Sequence, residues 1–344
     1  DWNSVSSGVS QNGSHYLFVK NSGHLYGCGR NDTAGKLGLN DRTNRSSPHQ
    51  IGNDTNWSGN ITGGTENSMA VKTDGSLWGW GNNEYGMMGV NDLARRSSPT
   101  QIGTEATWST AHSTLQTQNK ISGGIKTDGT LWMWGGEDYN GLLGQNLPHN
   151  TSARSSPVQV GTDTTWSKLA MNDAAFGIKT NGTLWAWGYN EDNTGGLGLN
   201  DQTNRSSPHQ IGTDTTWSSI TANGNFKVAV KTDGTLWSWG RNNYGQLGIN
   251  EGPGGPPAGS RSSPHQIGTD TNWWQVRNAT TTVWGIKTDG TLWAWGHDTN
   301  GSLGQGGSEV TRSSPTQVGT DTNWKTTEYG FGCSVQSAFV LRSS

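Results

Sequence analysis

Cysteine is nearly absent from this chain. There are two, Cys28 and Cys333, in 344 residues. That is too few for a disulfide framework or for the four clustered ligands of a structural zinc site. Charge is scarce as well: charged residues make up 14%, the net charge is −3, and no basic run exceeds two residues. The basic face that nucleic-acid binding requires is therefore missing. No stretch approaches the roughly 20 apolar residues of a membrane span. Even the hydrophobic fraction is low, at 29%. Two things offset it. The 52 glycines bring the apolar share close to the roughly 45–50% of globular chains. The 19 tryptophans each remove about 150–250 Å² from water when buried. The expectation is a folded chain with no membrane insertion and no nucleic-acid partner. It opens at Asp1 rather than Met, which reads as a processed product or a fragment.

What the sequence does have is a repeat. Tryptophan recurs at Trp2, Trp57, Trp108, Trp166, Trp217, Trp273 and Trp324, spaced 51 to 58 residues apart. Each full unit then runs through the same phrases: an apolar triplet ending in Lys, an Asp-Gly or Asn-Gly turn, LWxWG, a Gly-rich segment, and RSSPxQ(I/V)G. Periods of this length mark stacked supersecondary units. Short β-forming runs joined at Asp-Gly mark hairpins. Four strands per unit follow: strand a starts at the repeat Trp, b ends at the Lys, c is LWxWG, and d is SPxQ(I/V)G, opened by its proline. Trp78 and Trp80 alternate onto one face and Leu77 and Gly79 onto the other, so strand c needs apolar cover on both sides. Blades of a propeller supply that cover.

Phrases such as TDGTLWSWGRNNYGQLG at 232–248 resemble the repeat of the regulator of chromosome condensation family, in a form similar to bacterial and phage surface proteins. The resemblance covers essentially the whole chain. It implies a propeller of four-stranded blades, usually seven, and leaves function open, since related propellers serve as nucleotide exchange factors, ubiquitin-ligase modules, a photoreceptor and secreted inhibitors. The expected fold is an all-β, closed propeller forming one domain over residues 1–344. Seven blades are expected, the last one partial, with six as the alternative. Twenty-six strands are countable, two short of seven full blades, so a seam near the termini could accept another chain. A closed ring brings Cys28 and Cys333 together and makes a disulfide between them an option.

With strands running a, b, c, d in alternation, the a–b and c–d connections leave one end of each blade. The c–d loops hold 14 to 20 residues, whereas the b–c turns at the other end hardly vary. Binding loops in repeat proteins collect where length varies. Candidate binding residues on that variable face are Tyr139, Tyr189, Arg241, Tyr244, Glu251, Pro253 and Trp274. The repeated Asp residues at the other end read as turn caps. Asn-Asp pairs at 40–41, 91–92 and 200–201 lack calcium-loop spacing. The RSSP arginines read as ties between neighbouring blades. No nucleophile elbow, HExxH or phosphate loop is present. No catalytic residue, metal site or cofactor is expected. The functional expectation is a non-enzymatic structural or binding propeller of an extracellular, cell or virion surface, taking a protein or glycan partner. The alternative is an intracellular regulatory propeller of the guanine nucleotide exchange type.

Overall fold

The Asp-Gly and Asn-Gly pairs do turn the chain. Gly234, with φ +76°, donates its N–H to Lys231 O at 2.9 Å, and Gly182 repeats this with Lys179 O at 2.8 Å. Only a residue without a Cβ adopts that left-handed conformation without strain. The computed structural model describes residues 2–8, 14–32, 34–118, 120–136, 140–147, 153–190, 194–252, 259–298, 301–306, 310–324, 331–333 and 338–340.

The chain divides into two compact units. The first comprises Asp1–Tyr139, Leu147–Leu169 and Tyr329–Val335; the second comprises Asn140–Asn146, Ala170–Glu328 and Gln336–Ser344. The first holds three four-stranded antiparallel sheets. These are β1 (Trp2–Gly8), β2 (His15–Lys20), β3 (Leu25–Gly29) and β4 (Arg45–Gln50); β5 (Trp57–Gly63), β6 (Asn67–Lys72), β7 (Leu77–Gly81) and β8 (Arg96–Gln101); and β9 (Leu115–Gln118), β10 (Ile121–Ile125), β11 (Leu131–Gly135) and β12 (Arg154–Gln159). Three more follow: β13 (Trp166–Met171), within which the division falls, β14 (Ala174–Lys179), β15 (Leu184–Gly188) and β16 (Arg205–Gln210); β17 (Trp217–Thr221), β18 (Phe226–Lys231), β19 (Leu236–Gly240) and β20 (Arg261–Ile267); and β21 (Trp273–Asn278), β22 (Thr282–Lys287), β23 (Leu292–His297) and β24 (Thr311–Gln317). Two three-residue strands, β25 (Phe331–Cys333) and β26 (Ala338–Val340), come last.

The fold is thus an all-β propeller of four-stranded blades, but the expected seven blades are corrected to six. The stretch after β24 has no LWxWG phrase to supply the tryptophans of strand c and no RSSP phrase for the outer strand. Three-residue strands without those partners cannot build a further blade. Cys28 is a free, half-buried thiol in β3, its pKa raised by burial; the side chain of Cys333 lies outside the described residues. Strand d also begins earlier than expected, at the Arg. Its proline sits mid-strand in an irregularity: Gly81 pairs with Arg96 and Gly79 with Thr100, leaving Ser97–Pro99 opposite Trp80 alone. The missing N–H is harmless there, on an outermost strand at a bulge.

Neighbouring blades within each unit are stitched by a recurring set of bonds. The buried strand-c indole of one blade donates its Nε1–H to a loop carbonyl of the blade before it. Trp80 bonds Lys36 O at 2.8 Å and Trp134 bonds Met87 O at 2.9 Å in the first unit. Trp239 bonds Gly196 O at 3.1 Å and Trp295 bonds Gln246 O at 3.0 Å in the second. Each such indole also lies against the repeat Trp of its own blade, as Trp239 does against Trp217 at 6.2 Å and 67°. Next, a left-handed Asn at the end of the glycine phrase donates its N–H to the first Ser of the following RSSP, as Asn91 does to Ser155 O and Asn250 to Ser313 O, both at 2.7 Å. The glycine phrase itself is shaped by this contact. A Cβ on Gly245 would stand 2.8 Å from Ser313 Cα, and one on Gly248 would stand 2.7 Å from Trp295 Nε1.

Candidate functional site

The two ends of each blade differ in how much chemistry they leave free. At the b–c and d–a end almost every charge is consumed. Lys72 lies 4.9 Å from the Trp57 ring and 4.1 Å from the Trp78 ring, with its Nζ 2.9 Å from Asp54. Lys231 repeats this with Trp217, Trp237 and Asp214, and Lys287 with Trp273, Trp293 and Asp270. Lys126 does so with Trp108, Trp132 and Glu105. Each ammonium, largely out of water, thus has two indole faces and one carboxylate.

The b–c aspartates are turn caps. Asp233 Oδ1 accepts from Thr235 N–H at 3.0 Å and from Thr235 Oγ1 at 2.7 Å, and the same hydroxyl accepts the Trp237 indole N–H at 2.9 Å. The hydroxyl bond is the main reason that Asp233, and likewise Asp74, Asp128 and Asp289, titrates below the usual carboxylate range.

The a–b and c–d end carries the loops of varying length. Five of its RSSP arginines, Arg45, Arg96, Arg205, Arg261 and Arg312, turn inward to their own loops rather than tying neighbouring blades. Arg45 pairs with Asp41 at 2.5 Å, Arg96 with Asp92 at 2.6 Å and Arg205 with Asp201 at 2.5 Å. The Asn-Asp pairs therefore divide their work: Asn clasps the next blade and Asp holds the arginine. Asp41 also accepts from Thr43 N–H, the largest cause of its lowered pKa. A buried Asn completes four of these loops, at Asn31, Asn83, Asn190 and Asn242; Asn83 accepts from Met88 N–H and donates to Asp92 O.

Of the sequence-predicted binding residues, Tyr244 stands out. It is 42% exposed and its ring stacks on His297 of the next blade, with centroids 4.8 Å apart and planes inclined by 26°. Arg241 leads the same loop, half-buried, and meets the amide of Asn243; turned with its oxygen toward the guanidinium, Asn243 accepts from Nη2 at 2.7 Å and Nε at 2.8 Å. Glu251 is exposed and paired with Arg261 at 2.5 Å. Tyr189 is half-buried at the start of its loop, its N–H bonded to Asp173 O at 3.2 Å.

Trp274 is 40% exposed but belongs to the opposite end. It is the second residue of β21, beside Trp273, which pairs with Lys287 just ahead of the b–c turn. The predicted placement of Trp274 is corrected accordingly: the strand already starts at Trp273, so no loop precedes the second indole. Tyr139 and Pro253 lie outside the described residues.

Three features went unpredicted: His297, Leu93, which is 56% exposed, and the Lys120 ammonium 4.2 Å from the Tyr85 ring. A signal for the first was available. The position directly after LWxWG holds Arg30, Asn82, Gly136, Tyr189, Arg241 and His297 in successive repeats, a different residue class almost every time. No group of three metal-ligating side chains occurs among the described residues.

Two models of the regulator of chromosome condensation (RCC1) repeat match the chain, one at residues 60–86 and 217–246, the other at 74–112, 233–277 and 289–335. The chain is 27% identical over 250 residues to the ultraviolet-B receptor UVR8 of Arabidopsis thaliana, a match spanning 69% of this chain and 53%, about half, of the receptor. Human WBSCR16 superimposes with a TM-score of 0.80 at 19% identity, covering 100% of this chain and 88% of that one. Prp20p from Saccharomyces cerevisiae, a structure described together with its binding properties to Gsp1p and histones, gives 0.79 at 17% identity, covering 100% and 83%.

Proposed function

We propose that this propeller, whose repeats match models of the regulator of chromosome condensation repeat, is a non-catalytic, regulatory protein-docking module that engages its partner through the a–b and c–d loop end of the blades. One observation carries this reading. At the turn end the lysines and aspartates are locked into indole, carboxylate and hydroxyl contacts, whereas the loop end presents an exposed Tyr244 on His297 and an arginine, Arg241, that faces the Asn243 amide and has no carboxylate partner among the described residues. Tyrosine and arginine dominate the energetics of protein interfaces. Prp20p, with the same fold, has described binding to proteins, which favours a regulatory docking role over a structural role on a surface.

The test is partner recovery with two variant sets of the full chain. Tyr85→Ala with Tyr244→Ala alters the loop end; Trp274→Ala with Asp214→Asn alters the turn end. The loop-end variant is expected to lose the partner captured by the parent chain and the turn-end variant to keep it. The opposite pattern would refute the proposal.

A further inference from the structure

The repeat permits a comparison between two arginines in the same slot. Arg30 and Arg241 each follow the last glycine of strand c. Arg30 donates from Nε to Asp32 Oδ1 at 2.6 Å, so a carboxylate two residues on neutralises it. The residue two positions after Arg241 is Asn243, and among the described residues Arg241 has no carboxylate partner. The next blade repeats the difference. Arg45, Arg96 and Arg205 are held by the Asp of Asn-Asp, but Arg312 follows a loop that reads Gly306-Gly307 at that place. Arg312 instead donates from Nε to Gln305 Oε1 at 3.3 Å. It pairs across the strands with Gly296, adjacent to His297, on which Tyr244 stacks.

Two other acidic groups of these loops are engaged elsewhere. Glu251 holds Arg261, and buried Asp298 accepts from Leu303 N–H and Ser302. Glu309 lies outside the described residues. Two guanidiniums with no carboxylate partner among the described residues thus stand beside the loop and strand that carry the exposed Tyr244 and the half-buried His297 on which it stacks, in a chain whose net charge is −3.

We infer that the corner formed by Arg241, Tyr244, His297 and Arg312 is the anchor point for an acidic segment of a protein partner. The arginines would take its carboxylates and Tyr244 would pack against its apolar stems. An Arg fork matches a carboxylate in geometry as well as charge. The inference rests on reading the loop end as the docking face, and goes beyond it by naming the chemistry of the partner. A nucleic acid would satisfy the arginines too, but it needs a run of cations along a backbone, and here two are isolated on an acidic molecule.

Fluorescence anisotropy with a labelled octaglutamate peptide tests this on the full chain. Asn243→Asp is the informative variant, since it supplies the carboxylate that blade 1 already has and removes no packing. It is expected to weaken binding about tenfold, the scale of losing one charge-assisted hydrogen bond. Tyr244→Ala and Arg312→Gln should each weaken it, and Arg30→Ala should not. Raising the salt should weaken the parent chain. Equal binding by the parent chain and Asn243→Asp, tighter binding of octalysine, or preference for an oligothymidylate would each overturn the inference. If octaglutamate fails to bind while the loop-end variant still loses its captured partner, the acidic class is refuted and the docking-face reading stands.

Discussion

Replacing Trp239 by Phe should destabilise the protein far more than the same change at Trp237, although the two indoles are two residues apart on one strand. Trp239 is fully buried, packs against Trp217 and Phe176, and donates its Nε1–H to Gly196 O of the preceding blade. Phenylalanine removes that donor and leaves a buried carbonyl unpaired, which costs about 1–3 kcal/mol. It also leaves a void of about 40 Å³, worth about 1 kcal/mol at roughly 24 cal/mol per Å³. The sum is about 2–4 kcal/mol. Trp237 is half-buried, its N–H goes to Thr235 Oγ1 where water can replace it, and its ring faces Lys231 Nζ at 3.8 Å, a contact a phenyl ring partly keeps. Its replacement should cost about 1 kcal/mol or less. Urea unfolding followed by circular dichroism reads both as shifts in midpoint at constant slope. Because the Trp239 bond joins two blades, amide exchange should also quicken in β15, not in β19 alone. Equal costs at the two positions, or an effect confined to β19, would refute the stitching of blades through the strand-c indole.

Other outcomes follow from the same structure. His15 is buried with Nε2 at 2.8 Å from Ser68 Oγ, whose own proton goes to Lys36 O, so the ring is held with Nε2 as donor and Nδ1 unprotonated. Burial, assisted by Lys36, lowers its pKa from 6.5 to about 3. The folded state thus binds fewer protons than the unfolded one, and stability is full above pH 6.5 and falls as the pH drops toward 3, by about 1.4 kcal/mol per unit. The urea midpoint of the parent chain should decline between pH 6.5 and 4.5 more steeply than that of His15→Gln; parallel profiles would sink the assignment. Gly248→Ala places a Cβ 2.7 Å from Trp295 Nε1 at a φ of +71°, and should cost more than about 1 kcal/mol, measured by thermal midpoint. Lys231→Met should cost about 1–2 kcal/mol through the lost cation–π contacts, while Asp214→Asn, whose carboxylate is 56% exposed, should cost under 1 kcal/mol. A double-mutant cycle separates the two contributions.

Much of the blade was legible from residue order because its signals are local. Asp-Gly turns and two-residue alternation act over fewer than ten residues, so most strands stand where the repeat puts them; strand a of the third repeat is an exception, starting at Leu115 while Trp108 makes only an isolated bridge to Lys126. The apolar character of both faces of strand c likewise announced packing on two sides. Arginine partners were not legible, because RSSP reads identically in every repeat and the loop before it decides where the guanidinium goes. The end on which Trp274 stands was legible, since a strand that starts at Trp273 puts its second residue at the d–a end. Blade number was open: a repeat Trp at 324 announces a unit, but strands c and d are what make one.

By itself the order of residues determined an all-β repeat, the strand and turn positions, and the end of each blade where length varies. Tertiary structure alone decided which indole of each pair is sealed between blades, how lysine, indole and carboxylate lock the turn end, and which arginines stay without a carboxylate. Backbone preferences are set within a few residues. The sealing of the strand-c indoles and their bonds depends on groups about fifty residues away in the chain, brought close only when blades stack, and the ion pairs depend on loops and turns that lie back against the strands only in the folded blade.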